Sequence, residues 1–464
     1  MEARETGMEL DDLLRELGWA DDAELREVLR EEWETSRNCR TSDALPFLSP
    51  ESVAEACRDL SLPASAQEAL LDMGKHISAD PGLSALAWHF YFCAFRSDTY
   101  PTHGLIARWP SVERLGKLLG RDGRIFYLLI LTSGLPGMRA VYDTRSIPLD
   151  VFSDTIDQLR EQLSDLHKKQ NVWGVSGPHR VQWHRLMLRG ELFRLGRLMY
   201  NFGRFPFTVR VFRHRSSRTV LAVSEDGISY LPNGQANGPG RAHADGAWMS
   251  ELTAEDDGVT AHPVLPTGRV LRRKVHLPAS EWRQVLTRND PALRIHFPGG
   301  GPLAHDLCAK SLERAVEFFP RYFPDRPWKC FCSSSWVLNS RLQDLLQPAS
   351  NMVRFQREVY LLPFHTHDMP LVNAVFGGVP EDPTEAPRNT ALQRAVLDSL
   401  LAGEHDDARA GACFLLPEDL NWGRQVYLRQ KFPWAESGAV GREKTSFADP
   451  HNKKSESSAA GDAE

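Results

Sequence analysis

The stretch Arg294–Phe319, RIHFPGGGPLAHDLCAKSLERAVEFF, reads as a strand, three glycines with a proline, and then an amphipathic helix. A helix N-terminus carries unpaired N–H groups and a partial positive charge, so a glycine loop leading into one suits phosphate. The glycines let backbone come close to a ligand. Pro302 takes one donor away, and it equally suits the first turn of a helix that holds nothing. Cofactor cradle and simple turn both fit these residues.

Strand alternation puts Leu293, Ile295 and Phe297 on one face and Arg294 and His296 on the other. Two polar side chains on an inner strand point to a cleft. Imidazole titrates near neutrality, which makes His296 a candidate general base; a core histidine satisfied by a neighbour is the alternative. His305, on the first helical turn, reads as a surface residue. The next strand, PWKCFCSSSWVL from Pro327, puts Cys330, Cys332 and Ser334 on one face. Its serines stand near the C-terminal end, where open α/β sheets place ligands. Ser334 is thus a candidate hydrogen-bond donor to a ligand, unless the serines only satisfy the strand's end. NSRLQDLL reads as a short helix, NMVRFQREVYLL as a strand carrying Tyr360, and GACFLLP as a last strand. Ser350 and Asn351 either turn the chain or touch a ligand.

Upstream, FTVRVFRHR and SSRTVLAVSEDGISYLP have period 2, with Asp226-Gly227 as a turn. The region from Pro232 to Thr260 has no period and is expected to be an irregular loop. RVLRRKVHL reads as a strand, ASEWRQVLT as a short helix, and QRAVLDSLLAG as a helix stopped by glycine. Strands and helices in this order give a mixed sheet of α+β type.

From Ser49 to Gly203 the period is helical. SPESVAEACRDL opens with an N-cap serine and a proline. IFYLLILTSGL is too short to span a bilayer, which takes roughly 20 residues, and reads as a buried helix. HRLMLRGELFRLGRLMYNFGRF reads as a helix bearing Arg185, Arg189, Arg194 and Arg197, which suit an anionic cofactor tail or acidic neighbours. The chain therefore divides into an acidic helical arm (1–44), an all-α domain (45–204), a mixed α/β domain (205–434) and a tail (435–464) expected to be disordered.

Composition narrows the partners. The net charge of −6 over 464 residues carries no basic footprint, so no nucleic acid is expected. The odd count of 7 cysteines argues against a disulfide framework. Neither Cys330-x-Cys332 nor the HTHD run from His365 has a second ligand pair at zinc spacing, so no metal is expected. Without a signal-like or membrane-spanning segment, the protein is expected in the cytoplasm and off the membrane.

ALRIHFPGGGPL, SLERAVEFFPRYFP, CFCSSSWVLNSRLQDLL and SNMVRFQREV together closely resemble the GNAT-like C-terminal domain of bacterial two-domain acyltransferases. IFYLLILTSGLPGMRAVY and ELFRLGRLMYNF resemble the N-acyltransferase N-terminal domain that accompanies it. The resemblance runs from Leu45 to Trp422. It implies transfer of an acyl group from acyl-CoA or acetyl-CoA to an amine, or a hydroxyl, of a small-molecule acceptor. It implies pyrophosphate on Gly299, Gly300 and Gly301 with Arg294 nearby, His296 as base, Ser334 near the acyl carbonyl, and Tyr360 as the acid for the thiolate. The chain departs from the superfamily's pattern twice. His296 stands where a Gln or Arg usually precedes the loop, and NSRLQDLL lacks the tyrosine that many members carry there. Fold likeness is a weak warrant for activity. A GNAT-fold regulator that binds CoA or another small molecule without turnover therefore stays open, as does a non-enzymatic scaffold using the acidic arm.

Overall fold

The computed structural model describes residues 8–98, 105–238, 246–366, 369–403 and 409–432. The tail expected to be disordered lies outside the described residues, as do His367 and Asp368.

The site rests on a six-stranded sheet ordered Leu192–Leu195, Leu198–Arg204, Pro291–His296, Cys330–Ser335, Gly411–Leu415, Tyr360–Leu362. Only Pro291–His296 and Cys330–Ser335 run parallel; the other pairs are antiparallel. A parallel pair needs a crossover, and the helix His305–Tyr322 supplies it. Cys308, Leu312, Ala315 and Phe319 form its buried stripe. Phe319 meets Tyr200 and Phe202 at ring-centroid distances of 6.2 and 5.1 Å. That fixes the helix on the sheet face carrying Leu293 and Ile295, because paired residues share a face.

The opposite face meets the helical half. Helix Leu149–Gln170 has a buried row of Phe152, Ile156, Leu159 and Leu163, an aspartate in its first turn and His167, Lys168 and Lys169 in its last, as the helix dipole favours. Thr155 on this helix accepts the Arg194 N–H at 3.0 Å. Helix Pro178–Leu188 brings the Trp183 ring edge-on to His296, with centroids 5.0 Å apart. One hydrophobic core runs through both halves.

The reading of IFYLLILTSGL as a buried helix matches the structure: Phe126 to Thr132 are all buried in helix Gly123–Thr132. By composition Gly123–Thr144 is apolar enough to cross a bilayer, but 67% of its apolar window is buried inside the fold. It is also two helices, divided at Ser133 and Gly134. The acidic N-terminal segment is not a loose arm. Its three short helices put Leu13, Leu14, Val28, Leu29 and Trp33 into the common core, and Ser36 Oγ lies 2.9 Å from His89 Nδ1.

Four sequence assignments are corrected. HRLMLRGELFRLGRLMYNFGRF is not one helix: it stops at Leu188, turns at Gly190 (φ 65°) and becomes the hairpin Leu192–Leu195/Leu198–Arg204. Gly196 (φ 82°) opens its two-residue turn. Both faces of these strands are covered, so their apolar residues do not alternate cleanly and mimic helix spacing. The sheet therefore takes up residues 192–204, which helical spacing assigns to the all-α domain. NMVRFQREV is a helix, Asn351–Glu358, capped by Ser350 Oγ accepting the Val353 N–H at 3.3 Å. ASEWRQVLT contains a strand, Trp282–Leu286, paired with Val209–His214. A bulge between Gln284 and Leu286 buries Trp282 and Leu286 at helix-like spacing. The region expected to be irregular, Pro232 to Thr260, holds short strands at Trp248–Met249, Leu252–Glu255 and within Gly258–Ala261.

Candidate functional site

Parallel pairing joins Ala292, Leu293 and Arg294 to Cys330, Phe331 and Cys332 and ends there. Beyond it Ile295 and His296 part from Ser333 and Ser334, with only the Ser333 Oγ–H bridging to the Ile295 carbonyl at 2.8 Å. A cavity of about 520 Å³ opens at this fork. His296, the glycine loop, Ser334, Trp336, Asn351 and Met352 line it.

The loop is pinned from one side. Arg197, at the turn of the first hairpin, donates to the carbonyls of Pro298, Gly301 and Pro302 at 2.8, 2.7 and 2.9 Å. In a trans peptide the C=O and N–H point opposite ways. The N–H groups of Gly299 and Leu303 therefore face away from Arg197. No described group accepts the N–H of Gly299, Gly300 or Gly301. A Cβ on Gly299 would meet nothing within 4 Å, so the backbone is open to a ligand there. Gly300 sits at φ +80°, and a Cβ on it would lie 3.3 Å from a carboxylate oxygen of Glu161. Helix His305–Tyr322 starts without a side-chain cap. These donors fit a pyrophosphate. Pro302 withholds one N–H, and the Glu161 carboxylate opposes negative charge at Gly300.

His296 is half-buried and its Nε2 lies 2.7 Å from Asn201 Oδ1. Asn201 Nδ2–H donates to the Phe202 carbonyl at 2.9 Å, which turns its oxygen toward the imidazole. Nε2 then carries the proton, and Nδ1 keeps the lone pair that a base needs. Burial, helped by the Arg294 charge, lowers the His296 pKa to about 4. The ring is neutral at pH 7.

The description of a GNAT-like C-terminal domain matches residues 192–413, and that of an N-acyltransferase N-terminal domain matches residues 51–190. Residues 51–190 are thus an N-acyltransferase N-terminal domain and residues 192–413 a GNAT-like C-terminal domain. The fold of the GNAT-like half and its helical companion recurs together in solved structures. One is an acyltransferase in complex with decanoyl-CoA and teicoplanin, at TM-score 0.57 and 20% identity over 88% of this chain and 99% of that one. A second is an acyltransferase mutant in complex with octanoyl-CoA, with the same TM-score, identity and coverage: 0.57, 20%, 88% and 99%. A third is an acyltransferase in complex with decanoyl-CoA, at TM-score 0.55 and 21% identity over 88% and 98%. No curated protein matches the chain.

Within the GNAT-like domain, the fork gathers His296, Gly299, Gly301 and Ser334, with Gly300 in the same loop. Arg294 does not line the cavity. It lies along Gly203, where a Cβ would come within 2.8 Å of its Cδ, and it acts on the site as a charge near His296. Tyr360 is not at the fork. It is fully buried between two sheets, donating to the Val264 carbonyl, accepting the Ala222 N–H at 3.2 Å and stacked on Phe414. Burial pushes its pKa well above the usual value. This corrects the acid role expected of it. Tyr360→Phe should cost about 1–3 kcal/mol by orphaning two buried backbone groups. Chemical denaturation should show that loss while acyl transfer per folded molecule is unchanged; a selective fall in kcat would restore the acid role.

Other expected residues are also placed. Ser335 caps the short turn Trp336–Leu338. His305 is not a surface residue: its Nε2 is 3.2 Å from the buried Glu358. Arg185 donates to the Ala94 carbonyl, Arg189 pairs with Asp98 and Glu191, and Arg194 lies 3.7 Å from Glu161. Among the described residues no group of three His, Cys, Asp or Glu could hold a metal ion. The sequence did not reveal Asn201 or Trp183, whose roles depend on pairing and packing across the two domains.

His89 and His184 are buried and neutral as well, each with its pKa lowered to about 3 by desolvation. Unfolded imidazole takes a proton below about 6.5, so acid favours the unfolded chain. Stability should fall between pH 6.5 and pH 4 with a slope reaching about 4 kcal/mol per pH unit if His296 and both buried rings contribute fully. Urea midpoints at pH 7.5, 6 and 5 check this; equal midpoints would contradict the neutral assignments.

Proposed function

We propose that the protein transfers an acyl group from acyl-CoA to an amine of a small-molecule acceptor. The observation that carries this is the fork itself: a pinned glycine loop, whose N–H groups at Gly299 and Gly301 have no acceptor among the described residues, lines the same cavity as a neutral histidine held at Nε2 by Asn201. The solved acyltransferases of the same fold, bound to octanoyl-CoA and decanoyl-CoA, support the reading. The loop would take the pyrophosphate. Ile295, Phe297, Leu303 and Met352 give the cavity apolar wall for an acyl chain and its pantetheine arm. The acceptor nitrogen attacks the thioester carbon, the C–N bond forms, its proton passes to His296 Nδ1, and the C–S bond breaks with release of the thiolate. Ser334 stands at the fork as a donor to the developing oxyanion. Hydroxyl acceptors would follow the same path. The seven free cysteines suit a reducing compartment, and we place the reaction in the cytoplasm.

Calorimetry with CoA and acetyl-CoA, followed by an acceptor screen for thiol release, tests the proposal. Micromolar binding with turnover supports it. Binding without turnover on any amine favours a regulator that kept the fold, and no binding by the folded protein removes the acyl-CoA reading altogether.

A further inference from the structure

A second cavity, of about 680 Å³, lies in the helical half and shares no lining residue with the fork. One wall is a run of aromatic rings. Tyr91 touches Phe47, Trp88 and Phe95, with centroids 4.9, 5.5 and 6.3 Å apart. Trp88 is tied down by its Nε1–H, which donates to the Ser36 carbonyl at 2.6 Å. Trp88, Tyr91 and Phe95 are nevertheless only half-buried, so ring surface faces the cavity uncovered by the described side chains.

Phe95 and Arg96 reach the cavity from a π-helical turn, Phe92–Arg96, closed by the Ser97 N–H donating to the Phe92 carbonyl at 2.9 Å. Such wide turns occur frequently at functional sites. The Phe95 ring packs against Gly134, where a Cβ would come within 2.5 Å of it. The charges around the rings are unequal in their partners. Arg139 is held by both oxygens of Asp59, and Arg189 by Asp98 and Glu191 at 2.7 and 2.9 Å. Arg96 is exposed and forms no ion pair among the described residues. One guanidinium without an ion-pair partner among the described residues thus stands beside an open aromatic wall. A planar ring recovers stacking there, and an anionic group recovers a charge-assisted hydrogen bond.

We infer that this cavity is a second ligand site, for a planar aromatic anion whose ring stacks on the Trp88, Tyr91 and Phe95 wall and whose charge meets Arg96. The inference does not depend on the acyl-transfer reading. Calorimetry of the full chain with 2-naphthoate as probe tests it. The expected result is binding with Kd below about 1 mM, weakened about tenfold or more in Arg96→Gln, a surface substitution that leaves the thermal midpoint in place. The neutral analogue 2-naphthalenemethanol should bind wild type and Arg96→Gln alike. Gly300→Asp, in the other cavity, should leave naphthoate affinity unchanged. Three results would each overturn the inference: no naphthoate binding by the folded protein, equal binding by wild type and Arg96→Gln, or tighter binding of the cationic 1-naphthylmethylammonium.

Discussion

Replacing His296 with alanine is expected to lower kcat for acyl transfer about 10²–10⁴-fold while acyl-CoA affinity stays within about threefold. The imidazole lies at the fork, beside but not within the donor set of the loop, so in the proposed reaction its loss removes proton transfer and leaves phosphate binding in place. Its pKa near 4 has a second consequence. The free enzyme needs no proton removed from His296 at neutral pH, so the acidic limb of kcat/KM from this group falls near 4 and not near 6.5. Asn201→Leu should leave the ring in place but free its tautomer, reducing kcat more than KM. An alanine variant with unchanged kcat would remove His296 from the chemistry and make it a packing residue over Trp183.

Gly300→Asp is expected to weaken CoA binding at least about 100-fold. Three effects act in one direction. The position holds φ +80°, which costs a side chain roughly 1 kcal/mol or more. The new carboxylate would stand beside the one on Glu161, and it would add negative charge to the loop proposed to take the phosphates. Glu161→Gln supplies the opposite sign: losing a half-exposed negative charge near the loop should tighten CoA about two- to fivefold. If Gly300→Asp folds and binds CoA normally, the glycines are only a turn. If Glu161→Gln weakens CoA, the carboxylate is a ligand contact and not a repulsive neighbour.

The parts of this fold that were legible in the sequence are those whose signal is local. The strand ending at His296, the glycine loop and the crossover helix follow one another in one continuous run from Pro291 to Tyr322, and each has its own pattern. The buried helix over Gly123–Thr132 declared itself by an unbroken apolar run. What stayed hidden depends on distant partners. Asn201 matters because its strand pairs with Pro291–His296, putting it opposite Arg294 and within reach of a histidine 95 positions away. Nothing in LMYNFGR announces that. Arg197 carried a positive charge suited to an anion, yet it spends its donors on carbonyls of the loop. Tyr360 sat in an apparent strand, and only the packing of a second sheet over it shows that its hydroxyl is consumed.

The hairpin Leu192–Arg204 also decides where the chain can be cut. It follows the helical half directly in sequence, but it is the outer margin of the sheet that holds the fork. A fragment starting at Phe205 would strip the neighbour from Pro291–His296 and leave six residues of backbone without their antiparallel partner. A bare strand of that kind recruits another molecule, so such a fragment should associate with itself and precipitate. Severing at Gly190 instead, where the helix has ended and the hairpin has not begun, keeps the sheet whole. It still strips away the helical cover of the sheet's other face. The two halves are separate as patterns of sequence but not as objects that fold alone.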